Sequence, residues 1–230
     1  MRYSVLFGCG ARLGCVCYDK SMKPANLIPE DHEQRLHAII DSSWQIFQSH
    51  FVGGRHPILK EAPFQHHFAN IISTVGALYC FKREDVFFVD LETKCENIKG
   101  KSKYLDITCS FKDTNASCAI ELKFKTAQQG AQDHGRIDAY IDIEAVELAC
   151  KSQYSFGRFY MITDSQTYVN QSQRGVGTVF CLHDGFQITP GAQISYSKSI
   201  GRETIQVTFE KPYTLDWAQS EKWHFLEVKI

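Results

Sequence analysis

The sequence predicts a mixed α/β (α+β) domain, a central sheet flanked by helices. Three observations predict it: two helical apolar stripes near the start, three strand-like segments after them, and an amphipathic helix that leads back to further strands. Between Pro29 and Phe51, residues Leu36, Ile39, Ile40, Phe47 and Phe51 recur at helical spacing, and Pro29 sits where a first helical turn tolerates proline. A second helix begins around Glu61 to Pro63 and runs toward Tyr79, since Phe64, Phe68, Ile71, Ile72, Val75 and Leu78 make one stripe.

The strand predictions follow from β-branched and aromatic runs. Asp85 to Leu91 carries Val86, Phe87, Phe88 and Val89 and reads as a buried strand; a lysine-rich loop with Lys94, Lys99, Lys101 and Lys103 comes next. Tyr104 to Phe111 and Ser117 to Thr126 are separated by the polar stretch 112–116, which suits a hairpin. Thr126 to Gly135 reads as a loop, and Arg136 to Cys150 as a helix with Ile137, Ile141, Ala145 and Leu148 on one face. Phe159 to Thr163 and Val179 to Leu182 read as strands, and Ala192 to Ile230 as a β-rich tail.

With 230 residues, 43% of them hydrophobic, the chain can bury one substantial core, so a single domain over 1–230 is expected, with its core at about 30–185 and a β-rich part at about 186–230. A net charge of -1 excludes a uniformly basic nucleic-acid coat; any phosphate contact has to come from charges gathered locally by the fold. The nine cysteines are odd in number and lack zinc-ribbon spacing, which points to reduced thiols in a cytoplasmic protein. Met1 to Tyr18 is interrupted by Gly8, Gly10, Arg12 and Gly14, so it reads as a glycine-rich hairpin with Cys9, Cys15 and Cys17, neither a signal peptide nor a membrane span. His66 and His67 are adjacent and point to different helix faces, which argues against a shared metal site.

The chemistry concentrates in Cys118 to Lys125. Ile120, Leu122 and Phe124 point to one face of a strand, while Glu121, Lys123 and Lys125 point to the other. Glu121 and Lys123 then have Cα atoms roughly 6.5 to 7 Å apart. On the preceding strand Asp106, between Leu105 and Ile107, shares a face with Tyr104 and Thr108, and the hairpin turn near Asn115 brings it beside Glu121. Two converging carboxylates repel each other unless a cation lies between them, and hard oxygen donors select Mg²⁺ or Mn²⁺ over zinc. Such an ion polarises a phosphodiester and acidifies a bound water, and Lys123 would orient that water or stabilise charge on the phosphate.

Asp106, fourteen intervening residues and then Glu121-Leu122-Lys123 resemble the PD-(D/E)XK nucleases, over roughly Glu61 to Thr163. The resemblance implies a restriction-endonuclease-like sheet and a Mg²⁺- or Mn²⁺-dependent deoxyribonuclease with Asp106, Glu121 and Lys123 as catalytic residues. A restriction, phage-defence or repair role would follow from it. Glu61, with Gln65 four residues on, is similar to the family's helix-borne glutamate and implies a third metal ligand beside Asp106 and Glu121. Arg136-Ile137-Asp138-Ala139-Tyr140 stands where one branch of the family has Q-x-x-x-Y, so Arg136 and Tyr140 are expected to contact substrate. Leu105 replaces the motif's proline. Lys99, Lys101 and Lys103 are expected to form a positive rim that meets DNA. RNA is the other substrate consistent with the residues, and Trp217 and Trp223 in the tail suit sequence recognition or a homodimer. The alternative reading is an inactive relative that binds nucleic acid or protein without cleaving; no membrane partner is expected.

Overall fold

The computed structural model describes residues 28–198 and 200–230. The hairpin expected in Met1 to Tyr18, with Cys9, Cys15 and Cys17, lies outside the described residues; the six described cysteines are free thiols. Helix α1 spans His32–Val52, and the Asp31 side chain caps it by accepting the Gln34 N–H at 2.8 Å. Pro29 therefore lies outside the helix rather than in its first turn, and its carbonyl accepts Arg35 Nε instead. Helix α2 spans Glu61–Tyr79. The buried stripes Leu36, Ile39, Ile40, Trp44, Phe47 of α1 and Phe64, Phe68, Ile72, Val75 of α2 pack together and against one sheet face, because neither helix has another way to remove its apolar side from water.

The sheet has six strands in the order β1-β2-β3-β4-β10-β9. Strands β1 (Phe87–Ile98), β2 (Lys101–Phe111) and β3 (Ser117–Lys125) form an antiparallel meander. Helix α3 (Gln132–Cys150) then crosses over to β4 (Phe156–Thr163), which lies parallel to β3. The short α4 (Gln166–Val169) follows, then β5 (Phe186–Ile188), β6 (Gln193–Ser195), β7 (Gln206–Thr208) and β8 (Tyr213–Leu215), paired as β5-β8 and β6-β7. Strands β9 (Trp217–Ser220) and β10 (Trp223–Lys229) complete the central sheet. The architecture is mixed α+β, with a mixed sheet flanked by helices. No helix of the described residues is long and apolar enough to cross a membrane.

The alternation read in β3 is present: Cys118, Ile120, Leu122 and Phe124 enter the core under α1 and α2, while Ala119 joins the second core under α3 with Ile137, Tyr140, Ile143, Phe159 and Met161. Three expectations are corrected. The lysine-rich "loop" is strand: Lys94 lies in β1, Lys101 and Lys103 in β2, and only Lys99-Gly100 turns, with Asn97, Lys99 and Gly100 all at positive φ. Val179 to Leu182 has no ladder partner and is not a strand; Phe180 and Leu182 are buried by packing beside α3. Helix α3 starts at Gln132, so Gly135 is helical; a Cβ there would lie 2.3 Å from the Tyr168 hydroxyl.

Candidate active site

The β2-β3 ladder runs inward from the turn as far as Ile107 opposite Ile120. One residue further the strands change partners. The Asp106 carbonyl accepts Gln65 Nε2 at 2.7 Å, and the Asp106 side chain accepts the Leu122 N–H through Oδ2 at 2.7 Å. On β1 the facing position is Glu92, at φ 52, which also holds Gln65 Nε2 at 2.8 Å. Leu105 lies in the core under α3 and Ile107 in the core under α1 and α2. Strict alternation therefore stops at Asp106, which corrects the expectation that Tyr104, Asp106 and Thr108 share one regular face. The break turns a carboxylate into the acceptor that a straight strand would supply from its backbone.

Around Asp106 the fold gathers a charge cluster on the α3 side of β3. Glu121 is 3% exposed and lies near enough to Asp106 for each carboxyl to shift the other's pKa. Lys103 Nζ lies 3.1 Å from Glu121 Oε1 and 2.6 Å from Asp142 Oδ1. Lys123 Nζ lies 2.8 Å from Asp142 Oδ2 and 3.5 Å from Glu61 Oε1, and Glu61 Oε2 accepts the Phe124 N–H at 3.3 Å. Four carboxyl groups thus meet two ammonium groups, an excess of two negative charges if all are ionised.

Burial is the main cause that pushes Asp106 up from 3.8 to about 6; the Leu122 N–H opposes it, and Glu61 and Asp142 add to it. Glu121 is raised for the same reasons, first by burial and then by Asp142, with Lys103 pulling the other way. Burial alone would discharge Lys103 and Lys123, but Asp142 with Glu121 holds the first protonated, and Asp142 with Glu61 the second. A carboxyl whose folded pKa is raised binds its proton more tightly in the folded state. The metal-free fold accordingly loses stability as pH rises from 3.8 to about 6, and the loss is complete above that range. Asp106→Asn should remove this term, stabilising the metal-free protein at pH 7 by on the order of 2 kcal/mol and flattening its acid-side profile. Urea unfolding between pH 4 and pH 8 checks it; an unchanged profile would show that Asp106 is not the strained group.

A hard divalent cation suits this chemistry. Every acidic donor offers oxygen, the cluster would be short of two positive charges with all four carboxyls ionised, and the buried Glu121 Oε1 and Asp142 Oδ2 receive no well-directed hydrogen bond. Among the described residues no three His, Cys, Asp or Glu side chains already form a metal-holding group.

The residues expected at the site divide. Asp106, Glu121, Lys123 and Glu61 come together, and Lys103 joins them as an ion-pair partner of Glu121 and Asp142 rather than as part of a positive rim. Lys99 does not: it pairs with Glu144 Oε2 at 2.6 Å and reaches the Gln206 carbonyl, so it ties the hairpin tip to α3 and β7. Lys101 is exposed. Arg136 and Tyr140, expected to touch substrate, are buried instead. Arg136 donates to the Thr167 and Phe180 carbonyls and to Ser172 Oγ, and the Tyr140 hydroxyl donates to the Cys181 carbonyl at 2.6 Å, so both pin segment 167–181 to α3. Asp142, which bridges both lysines, carries no sequence signal because α3 is buried nearly all round and its acids do not mark a wet face. No family model, curated protein or solved structure matches this chain.

Proposed function

We propose that the chain is a divalent-metal-dependent nuclease that hydrolyses phosphodiester bonds of DNA. One observation carries the reading: Asp106, Glu121 and Lys123, on two adjacent strands, meet at one charged cluster whose carboxyls outnumber its ammonium groups. Asp106 and Glu121 would hold Mg²⁺ or Mn²⁺, with Glu61 beside them. When bound, such an ion supplies Lewis-acid polarisation of the phosphate and a water acidic enough to ionise near neutral pH. Lys123 stays an ammonium because Asp142 and Glu61 stabilise its charge, so its part is to donate to oxygens that gain charge on the phosphate rather than to remove a proton. Asp142 positions it.

A second reading, a module that binds nucleic acid without cutting it, is favoured by the ion pairs that Lys103 and Lys123 already make within the cluster. Plasmid and single-stranded DNA incubated with Mg²⁺, with Mn²⁺ and with chelator separate the two. Cleavage that chelator stops is the expected result. DNA retention without cleavage in either metal selects the binding module, and neither retention nor cleavage ends both readings.

A further inference from the structure

We propose that Lys103, which bridges Glu121 and Asp142, is a tethered cation that takes part of a divalent ion's place at Glu121, so that metal entry requires its side chain to swing out. The inference deepens the nuclease reading and rests on it. Lys103 Nζ contacts both carboxylates, at 3.1 Å and 2.6 Å, from different elements: Glu121 on β3 and Asp142 on α3. No single helix or strand carries both acids, and the ammonium bridges them. Glu121 is almost wholly buried, and although Lys103 approaches its Oε1, that oxygen accepts no well-directed hydrogen bond. The ammonium therefore compensates charge there without saturating the donor, as a substitute ion would.

Lys103 is less enclosed than Lys123. Lys123 lies in the middle of the sheet, on a strand paired with β4 at that very position, Lys123 facing Met161. Lys103 lies beyond Ile107, the last β2 residue paired with β3; its cross-strand partner is Cys95 on the edge strand β1, and the pairing of that hairpin arm is irregular between Cys95 and Ile98. Its side chain is 24% exposed against 12% for Lys123. An outward swing of the stem would return the ammonium to water while Glu121 exchanges it for the incoming ion. Lys103 keeps its proton throughout, and no bond is made or broken in the chain.

The test is metal affinity, read without catalysis. Mn²⁺ is titrated into the wild-type 230-residue chain, Lys103→Met, Lys103→Arg and Lys101→Met, and free Mn²⁺ is followed by electron paramagnetic resonance. Methionine keeps the apolar stem and removes the competing charge, so Lys103→Met should bind Mn²⁺ at least about tenfold more tightly, the scale set by one unit charge a few ångströms from the ion at a partly buried site. Lys103→Arg, which keeps the cation, should stay near wild type. Lys101→Met removes the same charge from the exposed part of the arm and should change affinity less than about threefold. If the methionine variant does not fold, Lys103→Gln makes the same comparison. Equal or weaker binding in the uncharged variant, with wild type binding Mn²⁺, overturns the competition and leaves the nuclease reading standing. If neither wild type nor the uncharged variant binds Mn²⁺, both are overturned.

Discussion

Lys123→Ala should lower DNA cleavage by at least about 100-fold while divalent-cation binding persists, and Asp106→Asn should abolish cleavage and binding together. The two side chains do different work at one cluster. On the proposed reading Asp106 would offer negative charge to a cation, and asparagine keeps an oxygen for the Leu122 N–H, so the fold should survive the loss of that charge. Lys123 would offer positive charge to the phosphate, and its removal takes no oxygen donor away; it frees Asp142 Oδ2 and Glu61 Oε1 instead. Lys125→Ala is the control. Lys125 follows Lys123 on the same strand face about 6.5 to 7 Å further along, and its removal should change the rate much less. Single-turnover rates and Mn²⁺ isotherms on all four proteins check the split. Cleavage at wild-type rates by both Asp106→Asn and Lys123→Ala would move the active site elsewhere, whatever the fold.

Trp44→Ala should cost about 3 to 5 kcal/mol, a large part of the 5 to 15 kcal/mol that holds a typical domain together. Trp44 is 4% exposed and sits where α1, α2 and the sheet meet: its ring centroid is 4.3 Å from Tyr160 on β4, 5.5 Å from Phe68 on α2 and 6.0 Å from Phe225 on β10. Alanine leaves an indole-sized hole that these rings, already engaged with one another, cannot collapse to fill. Leu78→Ala, at a position 72% exposed at the end of α2, should stay within about 0.5 kcal/mol. Urea midpoints give both values. A cost below about 1 kcal/mol for Trp44→Ala would mean that the aromatic layer repacks freely.

What could be read from the sequence followed from how each segment meets water. Helices α1 and α2 each bury one stripe and expose the rest, and β3 buries alternate residues in one core, so their periods survive in the residue order. The hairpin arm of β1 and β2 did not show itself because residues 90–104 are largely exposed on both sides; with little to bury, polar strand and polar loop look alike. Strand β4 begins earlier than expected, at Phe156, because Gly157 and Arg158 resemble a break. A Cβ at Gly157 would lie 2.1 Å from Val146 Cγ1, so glycine lets α3 approach, and Arg158 is buried against Asp41 and Glu227. Asp106, Glu121 and Lys123 stood out because local spacing brings them together across one hairpin. Lys103 and Asp142 join them only through the crossover of α3 and the twist of the arm, contacts between distant parts of the chain that no spacing encodes. The same long-range packing hides Arg136 and Tyr140, whose four-residue interval is equally compatible with a surface and an interior.

Because the Asp106 carboxylate stands in for a main-chain acceptor, a single proton, that of the Leu122 amide, belongs to the sheet and to the charged cluster at once. Anything that alters the electron density on Oδ2, whether a proton or a cation, alters the strength of that amide's hydrogen bond. The Leu122 amide resonance is thus an indicator built into the backbone, able to record the charge state of the cluster in solution without a label, a substrate or a turnover.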